Sequence, residues 1–231
     1  MTQSAANGHR YSGNVSDIVL VLASASPARL ATLRSAGVEP VVEFSRVDES
    51  VVRETEPARL SATLARLKGE EVASRTPEPS DGRRVLVLGC DSVLEIDGVA
   101  YGKPGSAAVA SDRLRLMRGR AAVLHTGHHL TDLRTGSRSL AVASTTVVFG
   151  SFSDEEIAAY VATGEPLLVA GAFTIDGLGG AFVERVEGDP HNVVGLSLPL
   201  LRRMVGDLGI GWHQLWNRGA EQPGDFGPGP A

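Results

Sequence analysis

The first sustained hydrophobic stretch of the chain is Ile18 to Leu22 (IVLVL), an apolar run of strand length with no polar position inside it. Such a run marks a strand buried on both faces. Ala23-Ser24-Ala25-Ser26 interrupts it, and the period then changes. Ser26 is placed to cap a helix that begins with Pro27 in its first position, carries Leu30 and Leu33 on one face and stops at Gly37. The unit predicted is strand, loop of small residues, helix.

Leu60, Leu64, Leu67 and Val72 recur at roughly helical spacing and predict a second helix over Pro57 to Ala73, with Lys68 one position after Leu67. A loop containing Pro, Ser and Gly follows at 76–82. Val85 to Leu88 (VLVL) is another strand of the buried type, ending at Gly89-Cys90-Asp91, and Val93 to Ile96 continues extended into an Asp97-Gly98 turn. Asp91 is thereby predicted to end a core strand where it meets a hairpin.

Residues 106–118 read as helix, with Ala110, Leu114 and Met117 on one face. Extended segments at 121–133 and 138–149 flank a turn at 134–137, and the alternation of Leu140, Val142, Ser144, Thr146 and Val148 marks the second of them as a strand. Ser153 and Glu156 have the spacing of a capping box for a helix that bears Ile157, Tyr160 and Val161 and ends at Gly164. A last helix is predicted at 198–208. Strands and helices alternate with adjacent extended pairs in the middle, so the expected class is α/β with a mixed sheet.

Composition narrows the classes. The 231 residues are 42% hydrophobic and 21% charged, an ordinary globular balance. No apolar run approaches the ~18 residues of a membrane span. Residues 1–16 lack the apolar core of a secretory signal and are expected to be a flexible leader, and the single cysteine, Cys90, permits no intramolecular disulfide. The expected location is cytoplasmic, with no membrane partner. A net charge of -5 argues against a nucleic-acid polymer as partner, yet a few cations converging in one cleft still hold a small anion. The Gly- and Pro-rich segment 217–231 is expected to be a disordered tail.

Several groups could carry chemistry. Ser24-Ala25-Ser26-Pro27-Ala28-Arg29 combines two hydroxyls, backbone N–H groups at a helix start and a guanidinium, which are the parts of an anion site. By spacing alone the same residues also read as a capped helix with a solvent-facing arginine. The loop has no Walker lysine and is not a P-loop. Asp48 and Glu49 follow an extended stretch and Asp91 ends another, so the two acidic positions could meet at one sheet edge and offer a hard divalent cation its oxygen ligands. Lys68 and Lys103 are the only lysines among 22 Lys and Arg residues, and Gly102 and Pro104 set Lys103 in a turn. His125, His128 and His129 form a local cluster, but no Cys or carboxylate completes a zinc-ligand spacing. Cys90 has no activating base nearby in sequence and reads as a small buried residue.

Taken together these segments resemble the Maf family of nucleotide pyrophosphatases. Leu22-Ala23-Ser24-Ala25-Ser26-Pro27-Ala28-Arg29 is similar to its LASxSPxR signature, Val47-Asp48-Glu49 to its acidic element and Leu64-Ala65-Arg66-Leu67-Lys68 to its LAxxKA segment. Gly89-Cys90-Asp91-Ser92 is similar to GADT, Gly102-Lys103-Pro104 to the GKP turn, and Ala170 to Gly177 to the AGAYxIQG stretch; Glu187-Gly188-Asp189 with Asn192 to Leu196 also fits. The resemblance runs from about Val19 to Met204.

It implies one catalytic domain over residues 17–210, with a twisted mixed sheet in two lobes around a central cleft, related to the inosine triphosphatase fold. It also implies a divalent cation, Mg2+ or Mn2+, a nucleoside triphosphate substrate cut to monophosphate and pyrophosphate, and a homodimer. By resemblance Asp91 is the general base, Glu49 and Asp91 hold the metal, and Lys68 and Lys103 with Ser24, Ser26 and Arg29 face the triphosphate. The subgroup acting on dTTP and UTP has Arg where this chain has Ala28 and Gln where it has Asp176, and Ser92 replaces a Thr. These three are the expected specificity positions. A nucleotide-binding regulator of cell division, and a phosphatase releasing single phosphates, are the rival readings.

Overall fold

The computed structural model describes residues 17–77 and 80–217. Its strands are β1 (Ile18–Ala23), β2 (Val41–Val42), β3 (Arg84–Ile96), β4 (Val99–Tyr101), β5 (Ala121–Asp132), β6 (Arg138–Phe149) and β7 (Val183–Glu187). Its helices are α1 (Pro27–Ser35), α2 (Pro57–Arg75), α3 (Ala107–Met117), α4 (Asp154–Ala162), α5 (Pro190–Val194) and α6 (Leu198–Asp207). The α/β class with a mixed sheet is as expected. The leader expected at 1–16 and the tail from 218 onward lie outside the described residues. Asn217, assigned to the tail, is docked instead: its side chain accepts from the Glu39 N–H at 2.7 Å and donates to the Glu39 carbonyl at 3.0 Å. Packing also runs past residue 210, because Ile210 and Leu215 belong to the core.

The described strands form one sheet in the order β2-β1-β3-β5-β6-β7, with β4 also on β3. β1 lies parallel to β2 and β3, and the remaining pairs are antiparallel. Along one edge of β3 the partner is first β1, ending at Ala23 opposite Gly89, and then β4, with Tyr101 opposite Leu94. Residues 90–93 thus have no strand partner on that edge, while β5 pairs them on the other. Asp91 does not end a strand, as the sequence suggested. β3 runs through it, because β5 supplies an unbroken ladder from Leu86 to Glu95.

One face of β3 carries two apolar clusters in succession. Leu86, Leu88 and Cys90 pack with Leu33 of α1 and Leu201 and Met204 of α6; Leu94 and Ile96 pack with Leu114 of α3 and Ile157 of α4. Val85 and Val87, on the other face, meet Val72 of α2. The predicted caps hold: Ser26 accepts from the Arg29 N–H, and Ser153 and Glu156 close a capping box. Two faces differ from the apolar pattern. On β6 the buried positions are Thr145, Val147 and Phe149, whereas Leu140 is 46% exposed. The alternation marked the strand, and the side turned inward is the odd one, where Thr145 meets Asn192 of α5 and Val147 and Phe149 join the cluster around Leu94.

On α2 the buried face is Ser61, Leu64, Ala65, Gly69 and Val72, with Leu60 and Leu67 only half-buried. Small residues replace leucines there because the helix backbone lies directly on the sheet. A Cβ on Gly89 would stand 2.3 Å from the Ala65 carbonyl oxygen and 2.6 Å from the Gly69 nitrogen, and one on Gly127 would stand 2.3 Å from the Ser61 carbonyl oxygen. Backbone cannot swing aside as a side chain can, so α2 would have to lift. We expect Gly89→Ala to cost at least ~1–3 kcal/mol, the range for overpacking a filled interior. Gly206→Ala, in α6 with open space around it, should be neutral or stabilising. Denaturant midpoints of the two variants make the comparison, and equal midpoints would contradict the close packing of α2.

The three histidines do not form a site. His125 bridges Glu95 at 2.7 Å and Ser144 at 2.8 Å, on the face of β5 opposite His128. The His128 Nε2 accepts from the Ser197 N–H at 2.9 Å, and its Nδ1 lies 3.0 Å from the Thr126 carbonyl. A backbone N–H can only donate, so Nε2 must keep its lone pair and the ring must be neutral, with the proton on Nδ1. This bond fixes the N-cap of α6 to the centre of the sheet. Burial accordingly pushes the His128 ring down to about 4, and burial also holds His129 below its ordinary value. The unfolded chain then binds more protons than the native one between the two values. The His128 contribution to stability is complete above pH ~6.5 and falls as the pH drops toward about 4, by up to roughly 3 kcal/mol. Urea titrations at stepped pH should show this loss, reduced in His128→Gln, which keeps an acceptor but does not titrate. An identical pH profile in the variant would overturn it.

Candidate active site

β1 ends at Ala23, and the chain turns at once: the Ser26 N–H donates to the Ser24 hydroxyl at 3.2 Å before Ser26 caps α1. The first turn of α1 directs Arg29 inward. The guanidinium donates from Nη1 to the Ser24 hydroxyl at 3.0 Å and the Cys90 carbonyl at 2.9 Å, from Nη2 to the Ser92 hydroxyl at 3.0 Å, and from Nε to the Gly195 carbonyl at 2.7 Å. Four of its five N–H donors are occupied. The solvent-facing arginine allowed by spacing is therefore excluded, since Arg29 is buried. It links the loop after β1, the unpaired part of β3 and the end of α5. Ser26 serves as cap and Ala28 is half-buried beside it.

Asp91 and Ser92 are neighbours on a strand and so face opposite sides of the sheet. Ser92 lies between the two apolar clusters, shares a hydrogen bond with Thr126 on β5 at 2.9 Å and accepts from Arg29. Thr126 donates onward to the Asn192 carbonyl at 3.3 Å, and the Asn192 amide donates to the Leu124 carbonyl at 3.0 Å and the Thr145 hydroxyl at 3.1 Å. Thr126 and Asn192 are wholly buried. Sequence reading placed Asn192 in a family stretch but gave Thr126 no role, since a lone threonine in a strand has no local signal.

On the other side Asp91 points toward α2. Lys68 Nζ lies 2.5 Å from Asp91 Oδ1 and 2.7 Å from Glu49 Oε1. Lys68 and Asp91 are 15% and 13% exposed in their side chains, against 53% for Glu49, so the pair is shielded and its outer carboxylate is wet. The local reason for Glu49 is clear. Asp48 caps the turn Glu49–Val51 by accepting from the Ser50 N–H at 3.0 Å, which leaves Glu49 as the acid turned to Lys68. Burial raises the Asp91 carboxyl above the usual carboxylate range, against the lowering influence of Lys68 and Arg29. Asp91 is thus a more basic carboxylate than an exposed one.

The other lysine stands in the turn that follows β4. β4 leaves the sheet at Tyr101, opposite Leu94, and runs into Gly102-Lys103-Pro104. The Gly102 carbonyl accepts from the Gly171 N–H at 3.3 Å and from Arg113, which holds the turn while Lys103 stays exposed. The loop after β1 and the turn after β4 therefore flank the same unpaired stretch of β3. Asp176 is exposed on the segment beyond Gly171 and makes no hydrogen bond with these groups.

Glu49 and Asp91 suit a hard divalent cation. Magnesium takes one or two carboxylates and completes its shell with water and phosphate, and these two are already drawn together around a single cation, the Lys68 ammonium. Among the described residues no cluster of three or more His, Cys, Asp or Glu is gathered. Cys90 is fully buried and burial pushes its thiol up to about 12, so it supplies neither thiolate nor nucleophile.

At this unpaired stretch of β3 a shielded carboxylate, Lys68 and an outer carboxylate meet on one face, and hydroxyls gathered by Arg29 lie on the other. Residues 19–208 match the family model described as Maf-like protein. A nucleoside triphosphate pyrophosphatase of Salinispora tropica is 60% identical over 200 residues, covering 87% of this chain and 88% of that protein. One of Streptomyces coelicolor is 54% identical over 197 residues, 85% of this chain and 94% of that one. A crystal structure of a nucleoside-triphosphatase / dITP/XTP pyrophosphatase from Mycobacterium abscessus shares 14% identity at a TM-score of 0.37, covering 82% of this chain and 93% of that chain.

Proposed function

The chain belongs to the Maf family, and we propose that it is a pyrophosphatase that cuts a nucleoside triphosphate into a nucleoside monophosphate and pyrophosphate. The observation that carries this reading is the shielded Asp91, raised by burial and held by Lys68 against Glu49 beside an unpaired strand edge. In the proposed step water attacks the α phosphorus, its proton passes to the Asp91 carboxylate, and the oxygen bridging to the β phosphorus leaves with pyrophosphate. Lys68 and Lys103 face the charge that gathers on the leaving group, where a positioned cation acts most strongly. Ser24 and Arg29 hold the α1 side of the same strand edge. Glu49 and Asp91 would hold a divalent cation, whose contribution when bound is to draw negative charge from the phosphate oxygens.

Arg29 then acts mainly by fixing Ser24 and the β3 edge, because most of its donors are already committed. Ala28 and Asp176 set this chain apart from the dTTP and UTP pattern. An ionised aspartate accepts but cannot donate, so it selects a base edge that presents N–H groups. A regulator that only binds nucleotide has no use for a desolvated carboxylate of raised basicity, and nothing in the geometry favours that alternative.

Purified protein should release pyrophosphate, not orthophosphate, from at least one nucleoside triphosphate, and only with Mg2+ or Mn2+ present. Separate assay of the two products decides it: clean orthophosphate release, or full activity in chelator, would overturn the reading. Asp91→Asn should lower the single-turnover rate by at least ~10²-fold, the lower end for loss of a general base. Nucleotide affinity should change far less, because Lys68 and Lys103 remain and one repulsive charge is gone. Near-normal turnover would refute the base assignment, whereas parallel loss of metal binding and rate would make Asp91 chiefly a ligand.

A further inference from the structure

Glu165 takes no part in the site described so far. It opens the short turn Glu165–Leu168 directly after Gly164, which has a positive φ of 78°. Tyr160 donates its hydroxyl to Glu165 Oε1 at 2.9 Å, Thr174 donates its hydroxyl to the same oxygen, and the Gly179 N–H reaches it at 3.2 Å. The Leu178 N–H donates to Oε2 at 3.2 Å. The Tyr160 oxygen in turn accepts from the Thr174 N–H at 3.2 Å. One carboxylate therefore ties both ends of the segment 174–179, and Ile175-Asp176-Gly177 is the arc between the ties.

The arc closes this tightly only because glycines stand where it meets the anchor. A Cβ on Gly177 would lie 2.8 Å from Glu165 Oε1, and one on Gly179 would lie 2.5 Å from the Tyr160 hydroxyl oxygen. Burial works against the Glu165 charge, but the bonds from Thr174, Leu178, Tyr160 and Gly179 outweigh it and hold the carboxyl below the usual range. Burial pushes the Tyr160 phenol up to about 12, so it remains a donor. The same element backs onto the Lys103 turn, where the Gly171 N–H meets the Gly102 carbonyl and the Gly105 N–H meets the Leu167 carbonyl at 3.4 Å. Its placement is thus tied to the turn that carries Lys103.

We propose that Glu165 is a positioning residue for base selection: by fixing the 174–179 arc it sets where Asp176 meets the nucleobase, without itself touching the nucleotide. This rests on the pyrophosphatase reading and on Asp176 as its selecting position. An arc released at either end would let Asp176 sample many positions, which weakens recognition of the base while leaving the phosphate machinery in place.

The test compares wild type, Glu165→Gln and Tyr160→Phe on nucleoside triphosphates that differ only in base. Inorganic tripolyphosphate serves as a base-free competitive probe. Glu165→Gln turns an amide toward backbone N–H donors, and it should raise KM for the preferred nucleotide by about tenfold, the loss of one charge-assisted hydrogen bond. The spread of kcat/KM across bases should narrow, with kcat nearly unchanged and the tripolyphosphate inhibition constant unmoved. Amide exchange at Leu178 and Gly179 should quicken. Tyr160→Phe should act in the same direction and more weakly, and it decides the matter by the same readouts if Glu165→Gln does not fold. An unchanged ranking of bases, or a fall in kcat common to all bases with weaker tripolyphosphate binding, overturns the inference while the wild type stays active. Absence of pyrophosphate from every nucleotide with the wild type would remove the parent reading instead.

Discussion

The unpaired stretch beside Asp91 exists because one edge of β3 is shared by two strands that never meet. β1 stops at Ala23 opposite Gly89 and β4 begins pairing at Leu94, so four residues of a central strand have a ladder on one side only. Unpaired backbone in a sheet interior is costly unless something else satisfies it. Here Arg29 does part of that work by donating to the Cys90 carbonyl, while the loop after β1 and the turn after β4 stand at either end of the opening. An uninterrupted neighbour along β3 would leave no such opening.

The two faces of this stretch are built differently because alternate residues face opposite ways. On the α1 side a polar row of Arg29, Ser92, Thr126 and Asn192 separates two apolar clusters, and its donors and acceptors are largely satisfied within the protein. On the α2 side Gly89 and Gly127 let the helix backbone rest on the sheet, which carries Lys68 up to Asp91. A salt bridge so placed adds little net stability, because desolvating both charges offsets most of their attraction. Its consequence is chemical: the carboxylate stays shielded and more basic than an exposed one, next to the Lys68 ammonium.

Much of the frame was legible in the chain. The IVLVL and VLVL runs, the Ser26 and Ser153 caps, the Gly37 and Gly164 stops and the apolar faces of α3 and α4 are all local signals, and each appears where it was expected. The short elements were not legible. β2 has two residues and α5 five, too few for a period to register, and β7 is mostly charged because it lies at the sheet rim. Glu165 carried no signal either, since its partners come from residues five to fourteen positions away and only a folded arc assembles them.

What the sequence determined by itself was the order of elements, their caps and stops, and a set of residue types, two lone lysines among them, whose resemblance to one family the comparisons bear out. Tertiary structure decided the rest: that Asp91 sits within a strand and not at its end, that Arg29 turns inward, that β6 buries its odd positions and that the three histidines part company. The physical reason is the range of the forces involved. Caps and hydrophobic periods are set by groups within a turn or two of chain, and so they are written locally. Which face becomes buried, and which donor meets which acceptor, depends on elements far apart in the chain, as the bond from Arg29 to Gly195, 166 residues away, shows.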